Sequence, residues 1–210
     1  MPSRFTVVLL SLLLATPAVL FWLSLVMEPA KLCPAECMYV AEEYHVKCYG
    51  PSLPAVPLSR LTGLQYLWLY YIKIKFLERD SFASLTELKG LNVEWSSLRT
   101  IELGAFNGLT ELIQLTIKGN EISEIIPGTF ENMINLNYLN LEKNRLEHLD
   151  SGVFSGLFNL EYIHLGDNNL QYLHPDTFFV LPKLKHISFY NNPCLRIPTN
   201  HNFINSHSLS

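Results

Sequence analysis

Aliphatic residues return along this chain at a fixed interval of 24 positions. Leu64, Leu88, Leu112, Leu136, Leu160 and Leu184 open successive units. Three residues on come Leu67, Leu91, Leu115, Leu139, Ile163 and Ile187, and two further on Leu69, Val93, Ile117, Leu141, Leu165 and Phe189. A phenylalanine keeps the same interval at Phe82, Phe106, Phe130, Phe154 and Phe178. Registers locked to one period are the mark of a repeat solenoid, in which no coil buries its apolar face alone. Within each unit the pattern LxxLxL alternates apolar and polar residues, as a short strand with one buried face does. One strand per coil then stacks into a parallel sheet at about 4.8 Å spacing. Its apolar positions point into the coil and the intervening ones stand on the outer, concave face. The phenylalanines form a second column on the convex side. Asn120, Asn144, Asn168 and Asn192 fall in the turn after the strand, where an amide can satisfy backbone groups that no neighbouring strand reaches. Ile72 and Ser96 hold that place in the first two units, so the asparagine ladder is expected to begin only in the third.

From Leu61 to Cys194 this pattern resembles the extracellular leucine-rich repeat family. The resemblance implies an α/β repeat solenoid: a leucine-rich repeat horseshoe with short parallel strands on the concave face and irregular or short helical convex segments. Six units are recognisable over 61–194. The stretch "CPAECMYVAEEYHVKC", followed by "LPAVP", resembles the family's N-terminal cysteine cap and assigns residues 31–60 to it. Tyr39 stands where that cap carries its third cysteine. Carried over by position, the resemblance pairs Cys37 with Cys48 and leaves Cys33 without its partner; Cys33–Cys48 is the alternative. "NNPC", Asn191 to Cys194, has only the beginning of a C-terminal cysteine cap, so residues 195–210 read as a tail and an incomplete cap. Cys194 shares the register of Leu146 and Leu170, and is expected as a small buried hydrophobe. Ile197, Phe203, Ile204 or Leu209 would then shield the last coil.

The 210 residues are 49% hydrophobic with a formal net charge of −4, enough for one domain with a substantial core. The acidic balance gives no reason to expect nucleic acid or an anionic membrane surface as partner. Arg4 followed by the apolar run Phe5 to Met27 has the form of a removable secretory signal, placed at residues 1–30. About 20 apolar residues also suffice to span a bilayer, so a retained anchor is the alternative, and membrane contact is expected only in that case. Either route is secretory, predicting a secreted, extracellular protein or one anchored on the extracellular face. The four cysteines suit that oxidising route, and allow three full pairings.

Function is most legible where the repeat departs from itself. "LQYLWLYYIKI" at Leu64 has the leucine spacing of "LNYLNLEKNRL" at Leu136, but aromatic residues replace Glu, Lys and Asn. Strand positions that alternate with the core leucines cannot turn inward without a register slip that exposes those leucines. The outward set is therefore Tyr66, Trp68, Tyr70 and Tyr71 in the first coil and Trp95 in the second, with Tyr138, Tyr162, His164, His186 and Tyr190 along the later ones. Exposed Tyr and Trp combine contact area with a hydrogen-bonding tip, the composition of binding hot spots. The competing reading is that the cap folds over them or that they pack on one another. The expected ligand is an extracellular protein or glycoconjugate, held non-covalently and without a cofactor. No HExxH, GxSxG, phosphate loop or dinucleotide fingerprint is present, so no enzyme is expected. His164, Asp167 and His186 lie on adjacent coils; without a third ligand they are read as solvated residues of a polar face rather than a metal or proton-transfer site. A matrix or scaffold component, or a tethered receptor-type ectodomain, is the remaining alternative.

Overall fold

The computed structural model describes residues 37–40, 44–50, 63–174, 176–196 and 208–209, with residues 39, 40, 208 and 209 as backbone only. The apolar run Phe5–Met27, Cys33, and the side chains of Ile197, Phe203, Ile204 and Leu209 lie outside these residues.

Thirteen strands occur in chain order: β1 (Cys37–Val40), β2 (His45–Tyr49), β3 (Tyr66–Tyr70), β4 (Phe76–Leu77), β5 (Gly90–Glu94), β6 (Thr100–Ile101), β7 (Gln114–Thr116), β8 (Tyr138–Asn140), β9 (His148–Leu149), β10 (Tyr162–His164), β11 (Tyr172–Leu173), β12 (His186–Ser188) and β13 (Ser208–Leu209). Nine form one sheet in the order β1-β2-β3-β5-β7-β8-β10-β12-β13. From β2 onward every pairing is parallel, and neighbours along the repeats meet in steps of 24, as in Leu67 opposite Leu91 and Ile163 opposite Ile187. Two small parallel ladders, β4 with β6 and β9 with β11, follow on the return path. The connecting segments are turns, and no helix occurs among the described residues. The convex side is therefore the irregular form of the expectation, without its short helices.

Burial follows the 24-residue registers. Leu67, Leu91, Leu115, Leu139 and Ile163 are fully buried and Ile187 nearly so. The phenylalanine column runs behind them with ring centroids 6.1, 6.1, 6.4 and 5.6 Å apart from Phe82 to Phe178, each pair stacked. Phe189 closes it edge-on at 5.8 Å.

Each asparagine of the turn column ties its own coil to the one before it. The Asn144 side-chain oxygen accepts the Ile122 N–H (3.3 Å), and its amide donates to the Ile117 carbonyl (2.7 Å), 27 residues back. Asn120, Asn168 and Asn192 repeat this geometry. The column reaches one coil further than expected. Ser96 is fully buried, accepts the Ile72 N–H (3.3 Å) and donates to the Glu94 carbonyl (2.8 Å). A hydroxyl covers part of the amide's task, whereas Ile72 fills its place with hydrocarbon.

The cap joins the same sheet. β1 and β2 form an antiparallel hairpin in which Cys37 lies opposite Cys48, and the two are disulfide-bonded. β2 then pairs in parallel with β3, so the cap extends the repeat sheet edgewise. Its Val46 and Cys48 are fully buried against the first coil. At the other end Leu195 packs against the core, and β13 lies along β12. Cys194 departs from expectation: it is a free, exposed thiol. Pro193 and Cys194 lie in a local turn, in which the Leu195 N–H bonds the Asn192 carbonyl (3.1 Å) before the chain rejoins the return ladder at Arg196 opposite Tyr172. The register shared with Leu146 and Leu170 therefore does not carry Cys194 inward.

Replacing Asn144 by Ala strands the Ile122 N–H and the Ile117 carbonyl in the core. Each orphaned group costs about 1–3 kcal/mol, so the variant is expected to lose about 2–4 kcal/mol in urea unfolding. Asn135→Ala, at a more exposed bond to the Thr110 carbonyl, is expected to lose about 1 kcal/mol or less.

Candidate functional site

The concave face is a grid whose rows are fixed by strand register. One row places His45, Tyr66, Gly90, Gln114, Tyr138, Tyr162 and His186 side by side; the next places Met38, Lys47, Trp68, Asn92, Thr116, Asn140, His164 and Ser188. Tyr49, Tyr70 and Glu94 begin a third. In β3 burial alternates, Leu67 and Leu69 inward and Tyr66, Trp68 and Tyr70 half-exposed.

The expected aromatic concentration stands at the N-terminal end, and the cap takes part in it. His45 meets Tyr66 and Trp68 edge-on, both at 4.4 Å. Tyr49 stacks on Tyr70 at 5.3 Å, Tyr66 on Trp68 at 6.0 Å, and the Lys47 ammonium sits 4.4 Å from the centre of the Trp68 ring. The aromatics pack on one another and on a cap strand lying beside them, while still presenting a surface. Sequence reasoning missed His45, Lys47 and Tyr49, because nothing in the cysteine pattern shows that the cap continues the parallel sheet.

Tyr71 and Trp95 are not on strands. Each lies one residue beyond its strand, with Gly119, Lys143, Asp167 and Asn191 in the same column, and all six have φ between 53° and 70°. Left-handed backbone is costly for an aromatic residue, on the order of 1 kcal/mol. From Tyr71 to Asp167 the column is held there because each N–H reaches a carbonyl of the next coil, Tyr71 to Glu94 (3.0 Å) and Trp95 to Lys118 (3.0 Å) among them. The result is an exposed rim: Tyr71 is 62% and Trp95 43% accessible.

Missing side chains seat three of the rings. A Cβ on Gly90 would come within 2.6 Å of the Tyr66 ring, and one on Gly119 within 2.5 Å of Trp95. The Tyr190 ring covers Gly166 in the same way. Glycine at those three positions was the sequence signal for a ring lying across the neighbouring coil.

The middle of the face is polar and internally paired. Lys118 bonds Glu142 at 2.6 Å, and Lys143 approaches Asp167 at 3.6 Å while its ammonium lies 5.9 Å from the Trp95 ring centre. Asn191 donates to Asp167 (2.6 Å). Burial disfavours the Glu142 carboxylate, but the Lys118 ammonium outweighs it and holds that pKa below the ordinary value. Glu94 goes the other way: burial raises its pKa more than Lys118 lowers it.

His164, Asp167 and His186 do not converge. His164 lies 3.7 Å from Glu142 and beside Tyr138 (5.1 Å), His186 stacks on Tyr162 (5.1 Å), and Asp167 is held by Lys143 and Asn191. Among the described residues no group of three His, Cys, Asp or Glu is placed to hold a metal ion, and no helix is long and apolar enough to cross a membrane.

The leucine rich repeat profile matches residues 87–146 and 134–194. The chain belongs to the leucine-rich repeat family. Among solved structures it is similar to the crystal structure of a TLR13–ssRNA13 complex, with 26% identity and a TM-score of 0.61. The likeness covers 73% of this chain but only 22% of that one. No curated protein matches the sequence. Leucine-rich repeat domains are generally protein-interaction modules, and the parallel solenoid found here is the frame of that class.

Burial first, then the Glu142 and Asp167 carboxylates, push the Tyr190 phenol up to about 12. The folded pKa is raised, so this contribution to stability is intact below the unfolded tyrosine value near 10 and is lost as pH climbs from there toward 12. Burial also raises the Tyr70 phenol, so ultraviolet titration should show Tyr190 and Tyr70 ionising late, and Tyr190→Phe should shrink that late step.

Proposed function

We propose that this protein is a secreted recognition module that binds an extracellular protein through the N-terminal half of its concave face. Tyr66, Trp68 and Tyr70 are the anchors on the strand and Tyr71 and Trp95 those on the rim; Tyr138, Tyr162, His164, His186 and Tyr190 line the continuation. The observation that carries this reading is the half-exposed aromatic cluster on β3. It sits on backbone locked by strand pairing on both sides. Rigid aromatic side chains lose little entropy on binding, which is what makes them effective anchors. Adjoining exposed aromatic surface of this kind marks interaction sites on soluble proteins.

Other ligand classes fit less well. The similar solved structure is a TLR13–ssRNA13 complex, and stacked aromatics do suit unpaired bases. Binding nucleic acid also needs a run of unneutralised cations along the groove. Here Lys118 and Lys143 are neutralised by Glu142 and Asp167 on the same face, and the chain carries −4 overall. A sugar ring stacking on Trp68 would have to displace the Lys47 ammonium from the ring. Secretion accords with the Cys37–Cys48 disulfide, which forms in oxidising compartments. The paired middle of the face suits specificity rather than catalysis.

The test is a binding screen of the full chain against extracellular proteins, glycans and single-stranded RNA, with Trp68→Ala carried alongside. A protein ligand weakened about 30-fold or more by the substitution is expected, the effect of losing a hot spot of about 2 kcal/mol. Phe179→Ala, at a convex residue 79% exposed, should leave it unchanged. Protein binding indifferent to Trp68→Ala in a variant with an unaltered circular dichroism spectrum would move the site elsewhere.

A further inference from the structure

The lysines of the concave face are not equivalent. Lys118 and Lys143 each have a carboxylate one coil further on, at 2.6 and 3.6 Å. Lys47 stands in the row of Met38, Trp68 and Asn92, and forms no ion pair among the described residues. Its ammonium rests 4.4 Å from the Trp68 ring centre instead. Around it are His45, Tyr66, Trp68, Tyr70, the 61% exposed Met38 and the 48% exposed Tyr49. No Asp or Glu is found in the described strands β1, β2 and β3. A cation held over an indole in an apolar surround is strongly attracted to an incoming anion, because the surround screens the pair less than open water does.

Resting on the concave-face reading above, we propose that the cap strand β2 supplies half of the binding site, and that Lys47 receives an Asp or Glu carboxylate of the partner protein. The partner segment is acidic at one position and apolar on either side of it. The carboxylate pairs with the Lys47 ammonium while the flanking apolar side chains settle on Met38, Tyr49, Tyr70 and the exposed part of Trp68. Charge complementarity chooses this occupant. A single cation with no ion pair among the described residues suits one carboxylate, whereas a polyphosphate chain would run onto Glu94, Glu142 and Asp167 along the same face. The apolar residues beside Lys47 suit side chains such as Leu, Phe or Tyr better than the hydroxyls of a glycan.

A display library of random 12-residue peptides is selected on the full chain, with sialylated glycans and poly(U) offered separately. The selected peptides are expected to be enriched in Asp or Glu flanked by apolar residues. Their affinity should fall at least about tenfold in Lys47→Glu, be restored in Lys47→Arg, and weaken as salt rises, because screening shortens the reach of the pair. Peptides without an acidic excess, capture of glycan or poly(U) in their place, no selected peptide, or unchanged affinity in Lys47→Glu would each overturn the assignment. Trp68→Ala separates the two readings. If it abolishes binding while Lys47→Glu is silent, the concave site stands and the carboxylate site falls. If neither substitution matters, both fall. Equal melting temperatures for Lys47→Glu and the parent chain keep a folding defect from imitating either result.

Discussion

Everything in this molecule depends on satisfying backbone polar groups at the point where each coil leaves its strand. Within the strands, neighbours pair directly. Beyond them the chain turns away, and amides and carbonyls would be buried with no partner. Asn120, Asn144, Asn168 and Asn192 fill that role with one acceptor and an amide shared between carbonyls. Because each spans bonds 22 and 27 residues away, a coil is stable only at the correct distance from its neighbours. That coupling fixes the strand spacing, keeps the phenylalanine column in contact, and makes the concave side chains a rigid array.

The same requirement explains what each end of the solenoid is for. An end coil has a core face and a sheet edge with nothing against them. At the N-terminus the Cys37–Cys48 hairpin meets both needs, β2 pairing with β3 while Val46 and Cys48 close the core. Since side chains alternate along β2 as along any strand, burying Val46 and Cys48 forces His45, Lys47 and Tyr49 to the concave side. A cap built to protect the core thereby enlarges the face on which β3 carries its aromatics.

Repetition made the scaffold readable from the sequence. Period, strand positions, inward set, phenylalanine column and asparagine ladder all follow from spacings of 24, and the structure has them. Less of the site was readable, for reasons that can be named. The pairing of Lys118 with Glu142 and the spread of His164, Asp167 and His186 depend on where long side chains lean, which register alone does not determine. Tyr71 and Trp95 could be placed as outward residues, but not as a left-handed rim, because the column's backbone is set by bonds to the following coil. Ser96 shows a hydroxyl covering for the amide, which a search for asparagine overlooks. Cys194 shows the limit of periodic inference: register predicts burial only where the local turn is kept, and here the Leu195 N–H closes a different one on the Asn192 carbonyl.

The departures from the repeat are informative because the repeat costs so little to keep. An ordinary residue at Gly90, Gly119 or Gly166 would fit the solenoid's backbone pairing, with strain at Gly119 alone, whose φ is +70°. In each case a Cβ would collide with a ring from the adjacent coil, Tyr66, Trp95 or Tyr190. Removing a side chain from a stabilised face loses packing and adds freedom to the unfolded chain. The glycines therefore make sense as partners of the aromatics. Three rings lying across neighbouring coils are held against backbone, with their outer surfaces exposed and their motion restricted. Packing the interior needs none of this, since the interior lies on the other side of the sheet. Restricting exposed aromatics is of use when something is to be bound by them, because the entropy of ordering them has been lost before the ligand arrives.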